Sequence, residues 1–294
     1  ARDEIVLIRQ FRLAAHLAQG RPHPGALVCV GPAAWSGSPL AGLVYGPVAG
    51  VTRGGLGLVL AAKNIAYLAI RGVGRVPVAD PAAFFSARAD IMRLVAASPA
   101  LAGAHGIGRF GTAALLDLTD ARSMTPTANF QKTRFAAQKS LNAPALARLF
   151  APRRAGCRAC HLRCGRMAPD GRPLPDLDAL SHFTALLENP CPRTAIAANA
   201  LCLDLGQAPV STASALACRA GITGRSPDAP ALPSLIADMA HGRGPARELA
   251  RGPAAYAARA GCPEAAMAVK GLPLPAFDPR GGYGLALAYA VSTS

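Results

Sequence analysis

Three cysteines in eight residues, Cys157, Cys160 and Cys164 in CRACHLRC, carry the densest chemistry in this chain. Thiolates bind soft and borderline metals, and a C-x2-C turn lets two sulfurs face one centre. A structural zinc site adds a second C-x2-C or a histidine pair. Here only His161 and His182 lie near, and neither has a partner at zinc-finger spacing. An iron–sulfur cluster tolerates a remote fourth cysteine, because distant parts of a fold can bridge it. Spacing alone leaves three readings open: an iron–sulfur cluster, a zinc site, or redox and structural thiols. Within the chain, Cys191, held between two prolines in NPCPR, is the first candidate for a fourth ligand.

Other chemistry-bearing residues are scattered. Cys202 falls on an alanine-rich helical face and reads as a small buried hydrophobe. Cys29, Cys218 and Cys262 have no evident partner, and His16, His23, His105 and His241 read as surface or packing residues. Asp278 and Arg280 in DPRGGYG can pair to shape a turn. The run GGLG before a helical stretch can bring backbone N–H groups near an anion, although such loops mostly just turn the chain.

The elements that must position these residues are helical. The 294 residues are 51% hydrophobic, much of it alanine, with only 5% aromatics. Small side chains favour closely packed helices over a β-sandwich. With 30 glycines and 26 prolines, those helices must be short and often interrupted. A strand is expected at 26–31, a helix at 56–63 and a second strand at 65–70. Asp80-Pro81 forms a cap and first-turn pair that opens a helix to about residue 97. The sequence then breaks, resumes helical spacing in FGTAALLDLTDARSM, and loops through PTANFQ at 126–131. Both flanks of the cysteine segment are rich in breakers, so it is expected on a loop. Further helices are expected at 178–188, 193–205, 211–220, 232–240 and 245–260.

The net charge is +15, from 31 basic and 16 acidic residues. The arginines are dispersed, and no alternation of basic and aromatic residues suggests a base-stacking surface, so no nucleic-acid partner is expected. An acidic redox partner remains compatible with the charge. Eight cysteines in so long a chain do not make a disulfide scaffold, and the start shows no signal-peptide pattern; a reducing cytoplasm is the expected location. No apolar run reaches the length of about 18 residues needed to cross a membrane, so no membrane association is expected.

Five segments read together resemble the aldehyde:ferredoxin oxidoreductase family: TRGGLGLVLAAKNIAYLAIRG, FGTAALLDLTDARSMTPTANFQ, CRACHLRCGRM, ALCLDLGQAPVSTASALA and KGLPLPAFDPRGGYGLALAYA. They occur in the family's order from about residue 26 onward. The resemblance implies a mainly α fold, with a short α/β portion at residues 1–75 forming the end of a pterin-binding domain. Residues 76–294 would then form helical domains carrying the cysteine motif. It also implies a tungsten- or molybdenum-bis-pterin cofactor, a [4Fe–4S] cluster on Cys157, Cys160 and Cys164, oxidation of an aldehyde, and electron transfer to ferredoxin or a similar acidic carrier. A homodimer is compatible with it. Arg53, Gly54, Gly55, Asp204 and Gly206 fall in the pterin-contacting segments, and Asp178 at the place of an active-site glutamate.

The chain departs from the family pattern at functional positions. The family's fourth cluster cysteine follows the segment matched by DPRGGYGLALAYA, so an incomplete member is expected. The pterin loop Asp-x-x-Gly-Leu-Asp reads LDLGQA, with Leu203 and Ala208 in place of the two aspartates. Asp204 lies one place along, a rotation of roughly 100° on a helix. In AGVTRGG the family's first arginine is Ala49, and Asp178 is one methylene shorter than glutamate, where acid–base geometry is sensitive to distance. A plain helix N-cap is the other reading of Asp178. Backbone-shaping positions are kept while polar cofactor contacts are lost, so a non-catalytic metal-binding or assembly protein is the alternative function.

Overall fold

The computed structural model describes residues 26–45, 50–70, 72, 74–157 and 160–291; Ala49, His16 and His23 lie outside them. The fold is mainly α, preceded by a short α/β portion. A small antiparallel sheet of order β3-β2-β1-β4 contains β1 (Ala26–Cys29), β2 (Leu43–Val44), β3 (Gly50–Val51) and β4 (Tyr67–Ile70). Pairing of β1 with β4 sets Ala26 opposite Ile70 and Cys29 opposite Tyr67. Helices α1 (Pro32–Trp35) and α2 (Leu56–Ala62) lie between these strands in sequence. Next comes α3 (Pro81–Ala97), capped by the Asp80 side chain on Ala83 N–H at 2.9 Å. Phe84, Phe85, Ile91 and Leu94 of α3 are exposed.

The remaining chain forms the helical body. Here α4 (Ala143–Phe150) precedes a hairpin of β5 (Arg153–Ala155) and β6 (Gly165–Met167), with β7 (Pro173–Leu174) on its far edge. Five helices follow: α5 (Leu177–Phe183), α6 (Pro192–Asp204), α7 (Pro209–Thr223), α8 (Leu232–His241) and α9 (Ala246–Leu249). After them come α10 (Pro253–Arg259), a ribbon of β8 (Ala268–Val269) and β9 (Leu272–Pro273), and α11 (Tyr283–Val291). The stretch expected as one helix at 245–260 is two, because Gly252 adopts φ 91° and Pro253 opens the second. Phe183, Leu180, Leu216, Ile236 and Met239 are fully buried in one core. Each such side chain contributes about 1.5–3 kcal/mol. Ala213, Ala215, Ala217 and Cys218 are buried along α7, whose small residues allow close helix approach.

Two loops are fixed by side chains. PTANFQ holds three consecutive non-glycine residues in left-handed conformation, Ala128, Asn129 and Phe130 at φ 49°, 49° and 63°. The N–H groups of Ala128 and Asn129 donate to the carbonyls of Ala185 and Leu186, while Asn129 Nδ2 donates to Ala265 O. Arg280 donates to Phe130 O and, through Nη2 at 2.6 Å, to the Asp278 carboxylate, so the expected pair does shape its turn. Asp278 is fully buried while the guanidinium is half exposed. Arg280→Ala therefore leaves a buried carboxylate short of its partner, and solvent around the cation moderates the loss to about 2 kcal/mol. A urea unfolding midpoint that does not fall would refute this.

Candidate functional site

The exit of the β8–β9 ribbon, residues 273–276, is held by three polar side chains from distant parts of the chain. Arg53 Nη2 donates to Pro273 O at 2.9 Å. His182 Nε2 lies 3.0 Å from Leu274 O, and Ala276 N–H donates to Asp178 Oδ1 at 2.7 Å. Asp178 and His182 share α5, one turn apart, and His182 Nδ1 lies 2.8 Å from Asp178 O. The helix cap is Asp176, which accepts from Ala179 N–H at 2.9 Å, so the N-cap reading of Asp178 does not hold. The charges of this cluster reach Tyr289 of α11: burial raises its phenol, Arg53 lowers it and Asp178 raises it again. Asp178, half-buried, accepts one backbone N–H on Oδ1, and a carboxylate so placed has the chemistry to hold or pass a proton.

The cysteine segment forms the loop at the tip of the β5–β6 hairpin, where Ala155 pairs with Gly165. Cys160 N–H donates to Cys157 O at 3.2 Å, closing the C-x2-C turn. The Cys160 thiol is lowered by backbone N–H groups of Arg163 and Leu162 against the opposing effect of burial. Two arginines grip the loop by its carbonyls. Arg154 Nη2 donates to His161 O and Leu162 O at 3.3 and 3.1 Å. Buried Arg166 donates to Arg163 O at 2.9 Å, Gly165 O at 2.6 Å, Ile107 O at 3.1 Å and Gly108 O at 2.9 Å. Cys157 and Cys164 are exposed. Among the described residues, no three His, Cys, Asp or Glu side chains converge to hold a metal ion.

Thiol chemistry differs sharply between the cysteines. Cys191 caps α6, and its thiol is lowered by the Thr194 hydroxyl, the backbone N–H groups of Thr194 and Arg193, and the Arg193 charge. Burial pushes Cys202 up to about 12 and Cys218 up to about 11. In native protein at pH 7, iodoacetamide is expected to label Cys160 and Cys191 well before Cys202 and Cys218. Peptide mass spectrometry reads the order, and early labelling of Cys202 would contradict it. Folded pKa values raised above the unfolded ones also predict stability that is complete below about pH 8.5 and is lost as pH rises from there through about 11 to about 12.

The segments matched to pterin contacts meet on residues 31–42. A Cβ on Gly31 would collide with Leu205 O, and a Cβ on Gly206, at φ 63°, would in turn collide with Gly31 N. Gly42 N–H donates to Gly206 O at 2.9 Å, and Ala208 N–H donates to Leu40 O at 2.8 Å. Gly55 starts α2 against Pro39, while Gly54, at φ 87°, faces open space. Asp204 is exposed at the end of α6.

This order of segments has relatives. Residues 86–294 match the family described as aldehyde ferredoxin oxidoreductase, domains 2 and 3. The chain belongs to the aldehyde ferredoxin oxidoreductase family. Curated relatives include the tungsten-containing aldehyde ferredoxin oxidoreductases of Pyrococcus furiosus and Thermococcus kodakarensis, each 29% identical over 262 residues. Those alignments cover 82% of this chain and 42% of each relative, so the chain spans less than half their length. A solved structure of similar fold is the active-site complex BamBC of benzoyl coenzyme A reductase with 1,5-dienoyl-CoA. It has a TM-score of 0.71 and 15% identity, covering 91% of this chain and 45% of that one.

For this member of the aldehyde ferredoxin oxidoreductase family, the described residues do not fit the pterin in the pattern that the resemblance implies. Leu203 and Ala208 carry no acceptor for ring nitrogens, and the backbone of residues 205–208 is bonded to residues 31–42 and to Cys202. The hairpin tip carries the donor chemistry of a thiophilic cluster, three thiols on one loop, although among the described residues the three side chains do not converge on one centre. Tyr289 and Arg166 were not singled out from sequence, and His182 was weighed only as a zinc partner of the cysteines. Their partners are backbone carbonyls or residues far along the chain, and neither leaves a local pattern.

Proposed function

We propose that the chain serves an oxidoreductase converting aldehydes to carboxylic acids, R-CHO + H2O → R-COOH + 2H⁺ + 2e⁻, and that its own part is to carry the electrons out. The observation supporting this most is the cysteine loop, pinned by Arg154 and Arg166 at the tip of a hairpin. Cys157, Cys160 and Cys164 would hold three corners of a [4Fe–4S] cluster near the surface, where a partner can approach. A ferredoxin or similar acidic carrier suits a chain of net charge +15. Exposed thiols suit the reducing cytoplasm. The names of the relatives favour tungsten over molybdenum at the oxidising centre. Asp178 would manage a proton, since only its Oδ1 is engaged by a backbone donor among the described residues.

A second reading is a cluster-binding or assembly protein without catalysis. Leu203 and Ala208 at the pterin loop favour it. Anaerobic purification followed by metal analysis and visible absorption separates the two. About four iron atoms with thiolate-to-iron absorption near ~400 nm, both lost in Cys160→Ser, is the expected result. Tungsten alongside the iron supports the oxidoreductase, whereas iron alone supports the second reading. One zinc and no such absorption overturns both.

A further inference from the structure

The Asp178 site contains a histidine that nothing in the motif pattern assigns. His182 is fully buried, and both ring nitrogens face backbone carbonyls: Nδ1 meets Asp178 O at 2.8 Å and Nε2 meets Leu274 O at 3.0 Å. Carbonyl oxygens only accept, and a neutral imidazole carries one N–H. A neutral ring therefore makes one hydrogen bond and sets a lone pair against the other carbonyl, whereas the protonated ring makes two. Leu274 lies two residues before Ala276, whose N–H binds the Asp178 carboxylate. The ring thus bridges the turn that carries Asp178 to the strand exit that carries its donor.

We propose that His182 is the positioning residue of the Asp178 site, fixing the carboxylate against the Ala276 N–H by joining α5 to the β8–β9 ribbon. This rests on Asp178 being the proton-handling group of the proposed function. The charged groups acting on the ring are Asp178 on α5 and Arg53 from the glycine turn, and both of these also act electrostatically on Tyr289 of α11. Burial lowers the imidazole, the Asp178 charge raises it, the two carbonyls raise it further, and Arg53 lowers it. Neutral and protonated rings then differ by one bridge bond, and the Asp178 charge biases the choice.

The full chain tests this without substrate or metal, so failure of aldehyde oxidation and failure of this bridge are separate results. His182→Phe fills the ring's volume without hydrogen bonds. Its Ala276 amide is expected to exchange hydrogen about tenfold faster while amides of α7 keep their rates. His182→Gln, whose amide can still donate to Leu274 O, is expected to restore most of the protection. In otherwise native protein, ring ¹⁵N shifts should show that Asp178→Asn lowers the pH at which His182 titrates. Unchanged Ala276 exchange in His182→Phe, equal acceleration throughout the core, failure of glutamine to rescue, or an unmoved His182 titration in Asp178→Asn would each overturn the proposal.

Discussion

Arg166→Met is expected to release the cysteine loop and to cost about 3–4 kcal/mol of stability. Arg166 is 5% exposed, and its guanidinium donates four hydrogen bonds, two to the loop at Arg163 O and Gly165 O and two to the turn at Ile107 O and Gly108 O. Hydrogen bonds from a charged donor contribute about 1.5–3 kcal/mol each, but burying the cation takes back part of that total. Burial, then the Arg154 charge, lowers the guanidinium, and the Cys164 thiolate raises it. All four of these acceptors are carbonyls, so a negative charge on the cysteines would complement the cation. Methionine keeps apolar bulk but withdraws four donors, and of the four carbonyls Ile107 O still accepts from Gly111 N–H. Two measurements check the effect: the urea midpoint, and iron retained per chain under a fixed chelator challenge. Both should fall, and a variant retaining native stability and iron would show that the loop stands without its clamp.

Gly31→Ala is expected to be among the most disruptive single-methyl changes, at about 3 kcal/mol or outright failure to fold. Its Cβ would meet Leu205 O and would lie 2.6 Å from Gly206 N, and both obstacles are backbone. Overpacking of this sort costs typically 1–3 kcal/mol where side chains can yield, and here they cannot. Gly37→Ala provides the contrast. No atom lies within 4 Å of its Cβ, and only the φ of +77° opposes it, at a cost of about 1 kcal/mol. Thermal unfolding of both variants measures the difference, and equal losses would mean that the Gly31–Gly206 contact can relax.

Much of the helical body was legible because proline and capping residues announce it. Asp80-Pro81 opens α3 and Pro192 opens α6, as local chemistry demands. Boundaries failed where one backbone angle decides, as at Gly252 between α9 and α10. The β5–β6 hairpin was missed because RRA and GRM are too short and polar for alternation to show. At the site, Asp178 was reachable through the resemblance. Arg53 was reachable through the resemblance as well, but its bond to Pro273 O, 220 residues away, was not. His182 gave no signal, since one partner is a carbonyl 92 residues away.

The left-handed run at Ala128–Phe130 carries a consequence for which letters this loop can hold. A branch at Cβ crowds a left-handed backbone, so valine, isoleucine and threonine are shut out of three adjacent positions whose side chains do no chemistry. Asparagine tolerates the conformation and glycine would enter freely. The spelling of PTANFQ is thus restricted by the path of its main chain, and an alphabet restricted in that way would persist in a relative that had lost every catalytic contact.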